Sequence, residues 1–198
     1  ADVRKVSTQW HALWRLPTKI AEPNRITTNT YNGDDGVYCA PTTALVGGNP
    51  IGVLCRKSVQ ETTDATGQQG LAATVTGTPR VWQYSYDSYG QVLTATDPNN
   101  QTTVTVYYAA NDPDLGKRGN VQTITNPLGH ITTITAYNLN GRPLSITDPN
   151  GVVTTFTYWP RGWLHTRAFS GETTTYDYDG VGQLTKVTMP DGSYIQYI

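Results

Sequence analysis

A short pattern returns along this chain at nearly constant spacing, and it constrains the reading of every residue inside it. Tyr is followed four positions later by Gly at Tyr86/Gly90, Tyr137/Gly141, Tyr158/Gly162 and Tyr178/Gly182, and Pro comes eight residues past the Gly at Pro98, Pro149 and Pro190. Pro127 stands in the same relation to Gly119. Gly90, Gly119, Gly141, Gly162 and Gly182 are separated by 29, 22, 21 and 20 residues, the long interval holding an insertion from Ala109 to Lys117. Units of this size cannot bury an apolar face alone, so each must borrow one from its neighbours.

The stretch from Tyr137 to Tyr158 shows what one unit does. Asn138-Leu139-Asn140-Gly141 has the residues of a turn, because Asn bonds its own backbone and Gly tolerates positive φ. Leu144-Ser145-Ile146-Thr147 alternates apolar and polar, the mark of a strand with one covered face. Asp148-Pro149-Asn150-Gly151 places Asp, Pro and Gly where a type I turn prefers them, and Asn126-Pro127-Leu128-Gly129 and Met189-Pro190-Asp191-Gly192 repeat the arrangement. Val153 to Tyr158 is the return strand. Each unit is two short antiparallel strands and two turns, and stacked units predict one continuous curved sheet. Composition agrees: 33 Thr and 13 Tyr stand beside 19 Gly and 12 Pro, while five Lys and three Glu leave little helix-forming material. The fold class is therefore all-β, built of tandem antiparallel β-hairpins.

The 198 residues allow one domain or two small ones. Residues 80–198 form the clear tandem array. Residues 1–32 read as a degenerate copy, running from Trp14 through Glu22-Pro23-Asn24-Arg25 to Tyr31 with Arg15 in the Gly slot. Residues 33–79 break the period as an insert, with Ile51 to Cys55 a short apolar strand and Ser58 to Gly70 too polar to bury much. The sequence opens at Ala1 and stops at Ile198 within a stretch, Tyr194 to Ile198, that reads as mid-strand, so a piece of a longer protein is expected. A net charge of −1 gives no field to hold nucleic acid, and no run approaches the roughly 20 apolar residues of a membrane span.

Tyr84-Ser85-Tyr86-Asp87-Ser88-Tyr89-Gly90-Gln91-Val92-Leu93-Thr94 and Tyr176-Asp177-Tyr178-Asp179-Gly180-Val181-Gly182-Gln183-Leu184-Thr185 resemble the YD repeat of Rhs proteins, in which Y-x-Y-D-x-x-G-R-L is followed by D-P-x-G. The resemblance implies long hairpins wound into a spiral or shell, which in bacterial toxins encloses a C-terminal toxic domain and in animal teneurins forms a cell-surface barrel. It also implies secretion or an envelope location, and a toxin domain and further repeats of the parent chain as partners. The pattern departs at Gln91 and Gln183, which stand where the family often has Arg. Trp159 and Trp163 alter the fourth unit, and Phe169-Ser170-Gly171 replaces its second turn. Pro143 to Gly151 is similar to the start of the terminal Rhs core motif, but Val152-Val153-Thr154 follows where that motif has Leu-x-Gly-Gly, so this is an ordinary repeat.

Chemistry-bearing residues are few. Cys39 and Cys55, 16 positions apart, lack CxxC spacing or a nearby His for zinc; the choice is a disulfide worth about 3 kcal/mol or two buried thiols. His11, His130 and His165 fall in different repeats without triad or ligand spacing. Asp177 and Asp179 would suit an acid/base or Ca²⁺ pair, yet Asp179 occupies the turn position that Asp87 also holds. No cofactor, metal site or catalytic motif is expected. Tyr at a fixed place in each unit fits a cross-strand ladder. Trp10, Trp14, Trp159 and Trp163 fall outside the pattern and are candidates for an exposed ligand or partner patch. The expectation is thus a non-catalytic structural module, with a surface adhesion or carbohydrate-binding module as the alternative reading. Open strand edges would permit a homo-oligomer.

Overall fold

The computed structural model describes residues 3–197, so Ala1, Asp2 and Ile198 lie outside the described residues. The chain is a large antiparallel sheet in which hydrogen-bonded neighbours follow one another in sequence. It divides into two compact units, one running to Val104 and the other starting at Thr105, inside the strand Thr102–Tyr107.

In the first unit the order is Ser7–Trp10, Pro17–Glu22, Arg25–Tyr31, Leu54–Thr62, Val75–Tyr86 and Val92–Thr96, the last pairing onward through Thr94↔Val104. The segment 33–79, which breaks the sequence period, thus supplies one whole strand and the first five residues of another to the sheet. Leu54–Thr62 pairs with Arg25–Tyr31 on one side and Val75–Tyr86 on the other. Its polar continuation buries little apolar surface but does bury a carboxylate. Asp64 is 5% exposed, and its oxygens accept from the backbone N–H groups of Thr66, Gly67, Gln68 and Gln69. Burial alone would raise its pKa; the donors, with the Thr66 hydroxyl, outweigh that and hold it below the ordinary value. The 3-10 turn Gly70–Ala72 then places Leu71 and Ala73 against Ala21 and Ile26, a small core.

In the second unit the order is Val121–Thr125, Ile131–Tyr137, Pro143–Thr147, Val153–Tyr158, Leu164–Phe169, Glu172–Tyr178, Leu184–Thr188 and Tyr194–Gln196. The register sorts the side chains by face. Ile134 lies opposite Ile146, Ile146 opposite Thr154, and Tyr176 opposite Val187, so Ile124, Ile134, Ile146, Phe156, Tyr176 and Val187 share one face. The other face carries Thr157, Thr166, Thr175 and Thr188 in one rank across four strands, with Thr157 and Thr166 joined hydroxyl to hydroxyl at 2.7 Å. Threonine is concentrated on this second face, though Thr132, Thr154 and Thr174 lie on the apolar one. Val187 is buried, but Ile124 and Phe169 are exposed, and among the described residues no large side chain is fully buried.

Candidate functional site

The working part of this molecule is the joint between repeats. Both turns of a unit are built alike. Asp87, Asn138, Asp148 and Asp179 each accept, through Oδ1, the N–H groups two and four residues on, while their own N–H donates to the carbonyl four residues ahead. Asp97 does the same, with Asn100 (φ 59°) filling the left-handed position that Gly holds elsewhere. Trp159 and Met189 keep the backbone pattern of this turn. Asp179 is thus a turn residue, as its position in the repeat suggested.

The repeat tyrosines hold neighbouring strands through their hydroxyls rather than through the expected ladder of rings, which is not seen among the described residues. Tyr31 donates its hydroxyl to the Pro17 carbonyl, Tyr86 to Leu54, Tyr137 to Val121 and Tyr158 to Pro143, at 2.6 to 3.0 Å. Each acceptor is the first residue of the preceding strand. The ring fills the gap between hairpin ends and the hydroxyl closes it, and burial pushes these phenols up from the usual value. A ring contact between tyrosines is made by Tyr108 and Tyr137, edge to face at 6.4 Å.

A second joint, at three successive repeats, uses the residue after the glycine, which lies across the glycine of the following repeat. Asn120 lies against Gly141, Arg142 against Gly162 and Trp163 against Gly182. A Cβ on Gly162 would collide with the Arg142 guanidinium, and one on Gly182 would come within 2.6 Å of the Trp163 ring. The same side chains cover the next tyrosine: the Arg142 guanidinium sits 5.8 Å from the Tyr158 ring and Trp163 5.5 Å from Tyr178. Trp163 therefore does in this repeat what Arg142 does in the previous one.

The disulfide Cys39–Cys55 is formed. It closes a loop already tied to the sheet, since the Asn32 Oδ1 accepts from the N–H groups of Cys39 and Ala40, and the Cys39 carbonyl accepts from the N–H of Tyr86.

The four irregular tryptophans occupy different surroundings. Trp14 stacks on Gly52, where an added Cβ would meet its ring at 3.2 Å. Trp159 lies 4.1 Å from the His165 ring and donates its indole N–H to the Tyr176 carbonyl. Trp159, Arg161, Trp163 and Tyr178 line a cavity of about 310 Å³. Trp10 is 60% exposed at the wall of a groove of about 430 Å³. Beside it, His11 bonds Asp34 through Nε2 at 2.8 Å and accepts the N–H groups of Leu13 and Trp14 at Nδ1. Both ring nitrogens are occupied, so His11 organises its turn much as Asp does in the repeats. The His11–Asp34 contact spans 23 residues and has no periodic signature.

A family model described as RHS Repeat matches residues 137–168 and 158–194. No curated protein matches the chain. Among solved structures, "Crystal Structure of TcdB2-TccC3 without hypervariable C-terminal region" is similar at a TM-score of 0.54 and 14% identity, over 95% of this chain and 11% of that one. "Crystal Structure of TcdB2-TccC3" and "Crystal Structure of TcdB2-TccC3-Cdc42" are each similar at a TM-score of 0.46 and 13% identity, over 95% of this chain and 12% of those. The first of these likenesses is one of fold, and this chain spans a small fraction of those proteins.

Proposed function

We propose, from the premise that the chain is an Rhs/YD-repeat protein, that it is a length of shell wall that encloses or presents a C-terminal toxin domain in its parent protein. That it is a structural repeat module follows from the repeats themselves. The observation that carries the finer reading is the second unit's sheet. One face bears Ile124, Ile134, Ile146, Phe156, Tyr176 and Val187, of which Ile124 is exposed and Val187 buried, and the other carries the rank Thr157, Thr166, Thr175 and Thr188. A sheet with one apolar face and one polar face suits a wall with contents on its apolar side. The TcdB2-TccC3 structure of similar fold is one solved without its hypervariable C-terminal region, the kind of segment that such a wall would hold. The disulfide suits a protein that matures in an oxidising space, so we place it at the cell envelope or outside the cell. The role proposed is mechanical, without catalysis.

Limited proteolysis of the parent protein tests this reading. The region following the repeats should resist protease while the wall is folded and become cleavable when wall variants such as Gly162→Trp open a joint. A C-terminal region digested equally fast in both would overturn it.

A further inference from the structure

Asn is followed directly by Gly at three places, Asn32-Gly33, Asn140-Gly141 and Asn150-Gly151. An Asn side-chain carbonyl lies within reach of the next backbone nitrogen, and glycine, with no Cβ, leaves that approach unhindered. Their surroundings set the three apart. Asn32 is 4% exposed, its Oδ1 accepts the N–H groups of Cys39 and Ala40, and the Gly33 N–H donates to the Val37 carbonyl at 2.7 Å. Asn140 is exposed, but the Asn120 amide packs 3.4 Å from where a Cβ on Gly141 would stand. Asn150 is exposed too, and nothing lies within 4 Å of the corresponding point on Gly151. The Gly151 N–H is held by the Asp148 carbonyl at 3.0 Å, in a turn at the exposed tip of a hairpin, where local opening is easiest.

We infer that Asn150 is a site of spontaneous deamidation, with water as the co-reactant, and that one of its two products opens this repeat's turn. The Gly151 nitrogen bonds to Asn150 Cγ, the bond from Cγ to the side-chain nitrogen breaks, and ammonia leaves with the proton that Gly151 gives up. Water then opens the resulting cyclic imide at one carbonyl or the other, giving aspartate or isoaspartate. The two differ in consequence. Asp191 holds the same place in the turn Met189-Pro190-Asp191-Gly192, where the Gly192 N–H still donates to the Met189 carbonyl at 3.0 Å, so aspartate at position 150 fits the turn. Isoaspartate inserts one more carbon into the main chain. That draws the Gly151 and Val152 N–H groups away from the Asp148 carbonyl and Oδ1, which hold them at 3.0 and 2.8 Å. The turn that sets Thr147 opposite Val153 then opens. The inference is independent of the shell reading.

Peptide mapping of the folded chain, held in mildly alkaline buffer and sampled over time, tests it, with an isoaspartyl methyltransferase to label the isoaspartate. Asn150 should convert first, about tenfold or more ahead of Asn32, because local opening ranges from nearly free at exposed turns to the global transition at buried ones. Asn140 should fall between them. Asn150→Gln, whose longer side chain closes the ring far less readily, should remove the label from this turn. Amide exchange should rise at Val152 and Val153 in the isoaspartyl fraction and stay at the wild-type rate in freshly prepared Asn150→Asp. The inference is overturned by an Asn150 that stays intact, by Asn140 or Asn32 converting as fast or faster, or by Asn150→Asp loosening the turn as much as isoaspartate does.

Discussion

Gly182 illustrates why a single residue can be doubly constrained. Its φ of 93° excludes side chains on backbone grounds, costing about 1 to 2 kcal/mol for a non-glycine residue. The Trp163 ring then occupies the space a methyl group would need. Gly182→Ala should therefore destabilise by more than the backbone penalty alone, and the excess should shrink in a Trp163→Ala background. Urea denaturation of the two single variants and the double variant measures this, and strict additivity would refute it. The turn role of the glycine was legible from Tyr-x-x-x-Gly, whereas its steric role was not, because the partner lies 19 residues away. Asp64 makes the complementary case at low pH. Its folded pKa lies below the ordinary value, so the stability it contributes is present above about pH 4 and is lost as pH falls through the folded value. The denaturation midpoint of the wild type should drop more steeply below about pH 4 than that of Asp64→Asn, which should start lower at neutral pH. Parallel pH profiles would contradict the assignment.

At the scale of elements, the hairpins were readable because turn residues and period-2 alternation mark both ends and one face. The strand Leu54–Thr62 was not, beyond its apolar start. Arg56-Lys57-Ser58-Val59-Gln60-Glu61-Thr62 has polar residues on both faces, and a strand of that kind leaves no hydrophobic period to detect. What joins it to the sheet is backbone pairing on both sides, with the disulfide and the Tyr86 hydroxyl fastening its first turn. Reducing Cys39–Cys55 should lower stability by about 3 kcal/mol, seen as a shift of the urea midpoint with reductant, and amide exchange should rise first around residues 39–55. An unchanged midpoint would show the loop to be held by its hydrogen bonds alone. Tyr158→Phe, which removes the bond to the Pro143 carbonyl, should cost about 1 kcal/mol, and a neutral variant would reduce the hydroxyl closure to packing.

For the whole molecule, stability is a sum over neighbours, because among the described residues no single large core dominates it. The all-β fold class was visible in sequence, and so was the departure of four tryptophans from the repeat pattern. Which tryptophan stays free was not, since that depends on Gly52, Gly182 and His165 meeting Trp14, Trp163 and Trp159 from distant positions. Tyr194–Gln196 pairs on one side, with Leu184–Thr188, and Tyr194 and Ile195 are half or more exposed. The isolated chain should self-associate in sedimentation experiments in proportion to concentration, and Ile195→Lys should suppress it by placing charge on the bare edge. A monomer at all concentrations would show this edge to be inert.

The forward reach of Asn120, Arg142 and Trp163, each the residue after a repeat glycine, gives that part of the array a grain. Arg142 and Trp163 lean toward the C-terminal neighbour, each needing a glycine there to receive it. Units are then not freely interchangeable: a transplanted repeat must offer a notch to its predecessor and a lever to its successor. Trimming from the C-terminal side strands a lever in solvent, while trimming from the N-terminal side merely empties a notch, so the two deletions should damage such a protein unequally.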